Sequence, residues 1–198
     1  MQHILHHLKE DGLAGTVMAN GSMSVQNKQG EIRKKIIQND LLDTVIALPK
    51  ELFYTTSIPA CIWIFAKGKE TDKYRDRPKE TLFIDAREHY KSIDKTQNTL
   101  KKEHIDKIAN KVRAYRGEET AGEYEDEKGF CKITTTQEIA ENNYIITPGR
   151  YVGIKENNED DIPYDIKMEK LTSELREQFK KSNQLQKQIE TNLERLGF

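Results

Sequence analysis

The sequence predicts an α/β domain whose sheet finishes in an antiparallel hairpin, followed by a long C-terminal helix. Two short amphipathic stretches alternate with strand-like runs at residues 13–18 and 41–48. Two further apolar runs, 58–66 and 81–86, follow with no helix between them, which reads as a strand pair rather than another crossover. From Met168 to Leu196, apolar residues recur at steps of three and four without an interrupting Pro or Gly.

The first stretch carries Ile4, Leu5 and Leu8 on one face and is expected to stop at Asp11-Gly12, with the glycine just past the last turn. Residues 13–18 form a strand closed by the turn signal Asn20-Gly21-Ser22. Residues 30–38 form a helix with Ile32, Ile36 and Ile37 on the buried face and Arg33, Lys34 and Lys35 on the others. Residues 41–48 are rich in β-branched and aliphatic residues and end at Pro49, as a buried strand would.

From 87 to 132 the pattern is thin. Ile105, Ile108 and Val112 mark one helix, and 115–128 has the Gly- and Glu-rich look of an exposed loop. Apolar character returns at 133–139 and 144–151. An acidic linker at 153–164, closed by Pro163, separates a domain of residues 1–152 from a helical tail of 165–198. A helix of about 30 residues reaches about 45 Å and carries one narrow apolar stripe, which requires a partner. Three occupants are open: its own domain, a second copy, or another protein.

The 198 residues are 33% charged with a net charge of -1, so no overall field draws the chain to nucleic acid. The longest apolar run is far short of the roughly 20 residues that span a bilayer. Cys61 and Cys131 lack the spacing of a disulfide or metal framework, and a reducing cytoplasm is the expected compartment. Cys61 reads as a small core residue. His3, His6 and His7 share a helix face but no acid or thiol is spaced to complete a metal site, so no metal is expected. Asp85 reads as a strand-end turn residue. Lys67, Lys69, Lys73, Arg75, Arg77 and Lys79 oppose only Glu70, Asp72 and Asp76, a loop that either meets DNA phosphate or is merely solvated.

Several segments carry a resemblance in their order. They are Met18-Ala19-Asn20-Gly21, Ile32-Arg33, Leu48-Pro49, Phe53-Tyr54, Thr56-Ser57-Ile58-Pro59-Ala60, Phe83-Ile84-Asp85-Ala86, and Asn142-Asn143-Tyr144 with Pro148-Gly149-Arg150-Tyr151. Over residues 1–152 this series resembles the modification subunit of type I restriction–modification systems, an adenine-specific DNA methyltransferase family. The resemblance implies the C-terminal part of a Rossmann-like, S-adenosylmethionine-dependent methyltransferase sheet. It also implies a strand order in which 13–18 lies beside 58–66, then 41–48, then 81–86, with one edge of 13–18 left open to association.

In that family a glycine-rich strand–turn–helix cradles the cofactor and an Asn-Pro-Pro-Phe loop holds the adenine amine. This sequence contains no Gly-x-Gly and no Pro-Pro. The expectation is therefore that catalytic and cofactor-binding residues are absent from this chain, that S-adenosylmethionine belongs to the complete subunit, and that the isolated chain is inactive. What the resemblance leaves here is the far wall of the target-base pocket. Phe53, with Tyr54 beside it, corresponds to the aromatic that stacks on an extruded adenine; the competing reading is core packing at a hairpin tip. For the tail stripe of Leu171, Leu175, Phe179, Leu185, Ile189 and Leu193 it points to the specificity subunit. The restriction subunit and double-stranded DNA complete the expected partners. The alternative is a non-enzymatic scaffold acting through the helical tail.

Overall fold

The computed structural model describes residues 1–70, 74–94, 96–154 and 164–196. They fall into two units, 1–155 and 156–198. In chain order the first unit contains α1 (Gln2–His7), β1 (Leu13–Ala19), α2 (Lys28–Gln38), β2 (Leu42–Ala47), β3 (Ala60–Ala66) and β4 (Glu80–Asp85). It continues with β5 (Lys91–Ser92), β6 (Asn98–Thr99), α3 (Lys102–Arg116), β7 (Cys131–Thr135) and α4 (Thr136–Glu141). The second unit is α5 (Tyr164–Arg195).

Five strands make one mixed sheet in the order β1-β3-β2-β4-β7. β3 runs antiparallel to both β1 and β2, pairing Val17 with Ile62 and Val45 with Trp63. β4 is parallel to β2, and β7 is antiparallel to β4. The first four strands stand in the order the resemblance implies, but 58–66 and 81–86 are not a strand pair: β2 lies between β3 and β4, and the hairpin is β2–β3. β7 is an addition that sequence patterning did not predict.

Strand alternation divides the core. Val45, Trp63, Phe65 and Phe83 project to one face, where Ile36, Ile37, Ile139 and Tyr151 cover them. Ile46, Leu82 and Ile84 project to the other, under Ile108, Val112 and Tyr115 of α3. All six residues of β2 are buried, Asp43 and Thr44 among them. Beside them the β1 side of the second face is bare, and Val17 is 57% exposed.

Three local expectations are corrected. α1 ends at His7, where Leu8 turns extended (φ -70°, ψ 130°), so Gly12 does not cap it; its amide instead closes a turn on the Lys9 carbonyl at 2.9 Å. Arg33 is not on a solvated face: its side chain is buried. Its Nε donates to the Tyr144 carbonyl at 2.7 Å and its Nη1 to those of Ser22 and Val25. Tyr115 belongs to α3 and is buried rather than opening a loop. The acidic linker falls largely on 155–163, outside the described residues.

Among the described residues no helix is long and apolar enough to cross a membrane. α5 is continuous over 32 residues, about 48 Å at the helical rise. Leu171, Leu175, Phe179, Leu185, Ile189 and Leu193 are each 45–61% exposed along it.

Candidate functional site

β1, β2 and β4 point the same way, so their carboxyl ends share one edge of the sheet. In open α/β sheets that edge is where ligands bind. The loop of residues 48–59 leaves β2 there and returns as β3. It carries Phe53 at 44% and Tyr54 at 90% exposure, so neither is a core aromatic. A bridge between Phe53 and Thr56 tightens the tip, and the Thr56 hydroxyl accepts from the Ile58 amide at 3.1 Å, which makes Thr56 a turn residue.

Both ends of this loop are tied down. At its end the Pro59 carbonyl accepts from the Asn20 amide at 3.1 Å, joining it to the exit of β1. At its start Glu51 sits in the left-handed region (φ 59°), a conformation that a non-glycine residue adopts at a cost and only when neighbours hold it. The neighbour is the β5–β6 hairpin, whose Asn98 amide donates to the Glu51 carbonyl at 2.8 Å. Asn98 Nδ2 adds a bond to the Lys50 carbonyl at 3.1 Å. Residues 53–57 together with Thr96 and Gln97 line an open cleft of about 290 Å³.

Further along the same edge, Asp85 ends β4. Its carboxylate accepts from Arg87 Nε at 2.8 Å and Nη2 at 2.6 Å, and more weakly from the Arg87 amide, which is the turn role expected of it. That pairing raises the Arg87 guanidinium's pKa further above its ordinary value, with burial opposing it. Gly149 leaves the space this pair needs: a Cβ there would lie 2.8 Å from Arg87 Nη2 and 3.1 Å from Asp85 Oδ2.

The basic run 67–79 leaves β3 at the opposite edge of the sheet, and much of its charge turns inward. Lys69 Nζ bonds Asp40 Oδ1 at 2.6 Å and the Leu42 and Glu80 carbonyls at 2.8 and 2.6 Å. Burial lowers the Lys69 pKa, and the bond to Asp40 works against that shift. Arg77 is equally buried, against Asp43. For either of these two to reach DNA phosphate, the side chain would have to leave the interior and abandon its carboxylate partner. Arg75 is partly exposed but paired with Glu80 at 2.5 Å. Lys67 donates to the Leu8 carbonyl at 2.9 Å and has no carboxylate partner among the described residues. Lys73 lies outside them.

Cys61 is fully buried in β3. His3, His6 and His7 are exposed, and the described residues contain no group of three or more potential metal ligands. The exit of β1 is a 3₁₀ turn, Asn20–Met23, whose Gly21 would meet nothing nearer than Val25 at 3.9 Å if given a Cβ.

Sequence reasoning missed the bracing hairpin and the Asp85–Arg87 pair. The hairpin strands are two residues each, too short for any periodicity. The Asp-x-Arg spacing was the only trace of the pair.

An antiparallel strand wedged between two parallel ones, with an aromatic loop on the carboxyl edge, is a mixed α/β sheet that methyltransferase-subunit structures match. The type I restriction–modification methyltransferase subunit from Streptococcus thermophilus has this fold, with a TM-score of 0.65 and 32% identity over 77% of this chain and 29% of that one. The family description "N-6 DNA Methylase" matches residues 1–160, and the chain belongs to that family. It is 43% identical over its whole length to the methylase subunit of type I restriction enzyme HindI from Haemophilus influenzae, covering 43% of that protein. To the MjaIX methylase subunit from Methanocaldococcus jannaschii it is 42% identical, covering 99% of this chain and 34% of that protein. The chain thus spans less than half the length of these curated relatives.

Proposed function

We propose that this chain is the closing part of the DNA adenine methyltransferase subunit of a type I restriction–modification system, forming the outer wall of its target-base pocket. The observation that carries this reading is the exposed, doubly anchored Phe53 loop on the carboxyl edge of a sheet of this family. An enzyme that modifies a base within a duplex extrudes it and holds it by stacking. Phe53 presents an aromatic face, with Tyr54 beside it, for that purpose.

The bare side of the sheet supports the same reading. Val17 is exposed and β1 pairs with β3 alone among the described residues, as suits a strand that continues into a larger sheet. S-adenosylmethionine is then held, and its methyl aligned with the adenine amine, by other parts of the complete subunit, and the isolated chain transfers no methyl group. Lys67 remains the candidate phosphate contact of the basic run, with Arg75 weaker because Glu80 offsets its charge. α5 docks the specificity subunit, and through it the complex gains DNA and the restriction subunit.

The test is Phe53→Ala in the complete enzyme, with 2-aminopurine at the target position. Loss of stacking costs about 1–3 kcal/mol, so the fluorescence rise that accompanies extrusion should fall sharply. An unchanged rise removes the role. A scaffold acting through α5 alone is the second reading, favoured by the exposed apolar stripe; it requires that the Phe53→Ala substitution be silent.

A further inference from the structure

The cleft beside Phe53 has two walls, and only one is the aromatic loop. The other is the turn of the β5–β6 hairpin, through Thr96 and Gln97. The two lining side chains on that wall differ. The Thr96 hydroxyl is committed to Asp94 Oδ1 at 2.9 Å. The Gln97 carboxamide is half-buried and has no hydrogen-bond partner among the described residues, although its backbone carbonyl is held by the Ile93 and Asp94 amides. A free amide on a fixed backbone, across from an exposed aromatic, is the combination that holds a planar heterocycle: stacking from one side and hydrogen bonds at its edge.

The hairpin is also fixed to the loop it faces. The carboxamide of Asn98 is buried and donates to Lys50 O, while its amide donates to Glu51 O. Those carbonyls precede Phe53 by two and three residues, so the distance between the walls is set by Asn98.

We infer that Gln97 contacts the extruded adenine directly, its carboxamide bonding the edge of the base while Phe53 stacks on the face, and that Asn98 is a positioning residue that sets the spacing of the two. The inference rests on the stacking reading of Phe53 and extends it to a second element. A glutamine amide can donate to a purine ring nitrogen and accept from the exocyclic amine.

The experiment uses the complete methyltransferase complex and two duplexes that differ only at the target position. One carries adenine opposite a mismatch, where extrusion is cheap; the other carries an abasic site, which offers no base to hold. Gln97→Ala should weaken binding of the adenine duplex about fivefold, the effect of one or two lost hydrogen bonds, and leave the abasic duplex unchanged. Asn98→Ala should lose part of the same adenine-minus-abasic difference. A damaged fold would weaken both duplexes alike, so equal loss on the two, or loss on neither, overturns the inference. Phe53→Ala is measured alongside. If it discriminates between the duplexes and Gln97→Ala does not, the hairpin assignment alone fails. If Phe53→Ala does not discriminate, the stacking reading fails and takes the hairpin assignment with it.

Discussion

Arg77 and Asp43 face each other as a buried ion pair, Nε 2.8 Å from Oδ1, with side chains 1% and 0% exposed. Asp43 also accepts from Arg116 Nη2 at 2.9 Å through its other oxygen. One carboxylate at the start of β2 therefore ties down both the 67–79 segment and the last turn of α3.

Removing a buried charge is costly chiefly for the partners left behind. Asp43→Ala strands two guanidiniums, one of them fully buried, and should destabilise the chain by about 3–5 kcal/mol. Arg77→Met leaves Asp43 still paired with Arg116 and should cost clearly less. Urea denaturation of the three proteins decides it. A larger loss for Arg77→Met would mean that Asp43 is not the hub.

Burial raises the pKa of the Tyr115, Tyr124 and Tyr151 phenols, that of Tyr151 to about 12. Above pH 10 the unfolded chain loses these protons while the folded chain keeps them. The folded state then binds more protons, so stability falls as pH rises. For Tyr151 the fall runs between its ordinary value of 10 and about 12. Alkaline titration followed by phenolate absorbance should show these groups ionising late, together with unfolding. Tyr151→Phe should flatten the stability curve in that window; an unaltered slope would show that Tyr151 ionises freely in the fold.

What the sequence made legible follows from where the partners of each residue lie. β2 and β3 stand out because strands covered on both faces are rich in apolar and β-branched residues, and that signal is local; Asp43 is the exception, and its partners lie far along the chain. β7 does not: Cys131-Lys132-Ile133-Thr134-Thr135 is an edge strand, half polar, and its outer Ile133 amide is capped by Asp126 Oδ1. The start of α4 is legible in the Thr135-x-x-Glu138 spacing of its capping box, a purely local signal. Arg33, Lys69 and Arg77 looked solvated because their acceptors, at Tyr144, Asp40 and Asp43, are 29 to 111 residues away. In the candidate site, Phe53 and Tyr54 came from the family resemblance; no pattern of residues separates an exposed loop aromatic from a buried one.

The inward turn of the basic run makes a prediction about DNA binding. Each phosphate neutralised on duplex DNA contributes about 0.9 to the slope of log affinity against log salt. In the complete complex, Lys67→Ala should lower that slope by about this amount. Lys69→Met should leave it unchanged while reducing thermal stability, since the Lys69 ammonium is spent on three protein oxygens. A lowered slope for Lys69→Met would mean that the 67–79 segment rearranges on DNA.

The stripe on α5 gives the prediction with the largest expected effect. Leu171, Leu175 and Phe179 lie on one side of Ser182, and Leu185, Ile189 and Leu193 on the other, all substantially exposed. Apart from one step of six across Ser182, these residues recur every four, so they share one side of the helix and form a stripe that a partner helix can cover. Burial of a Leu or Phe side chain is worth about 1.5–3 kcal/mol, so Leu175→Asp with Phe179→Asp removes at least about 3 kcal/mol from any seam they share. Association with the specificity subunit should weaken more than a hundredfold, while Glu177→Ala, outside the stripe, should leave it intact. Sedimentation of the chain with and without that subunit separates the possibilities. If the chain pairs with itself and the double substitution abolishes only that pairing, the seam serves a second copy. If neither association changes, the stripe is not a docking surface.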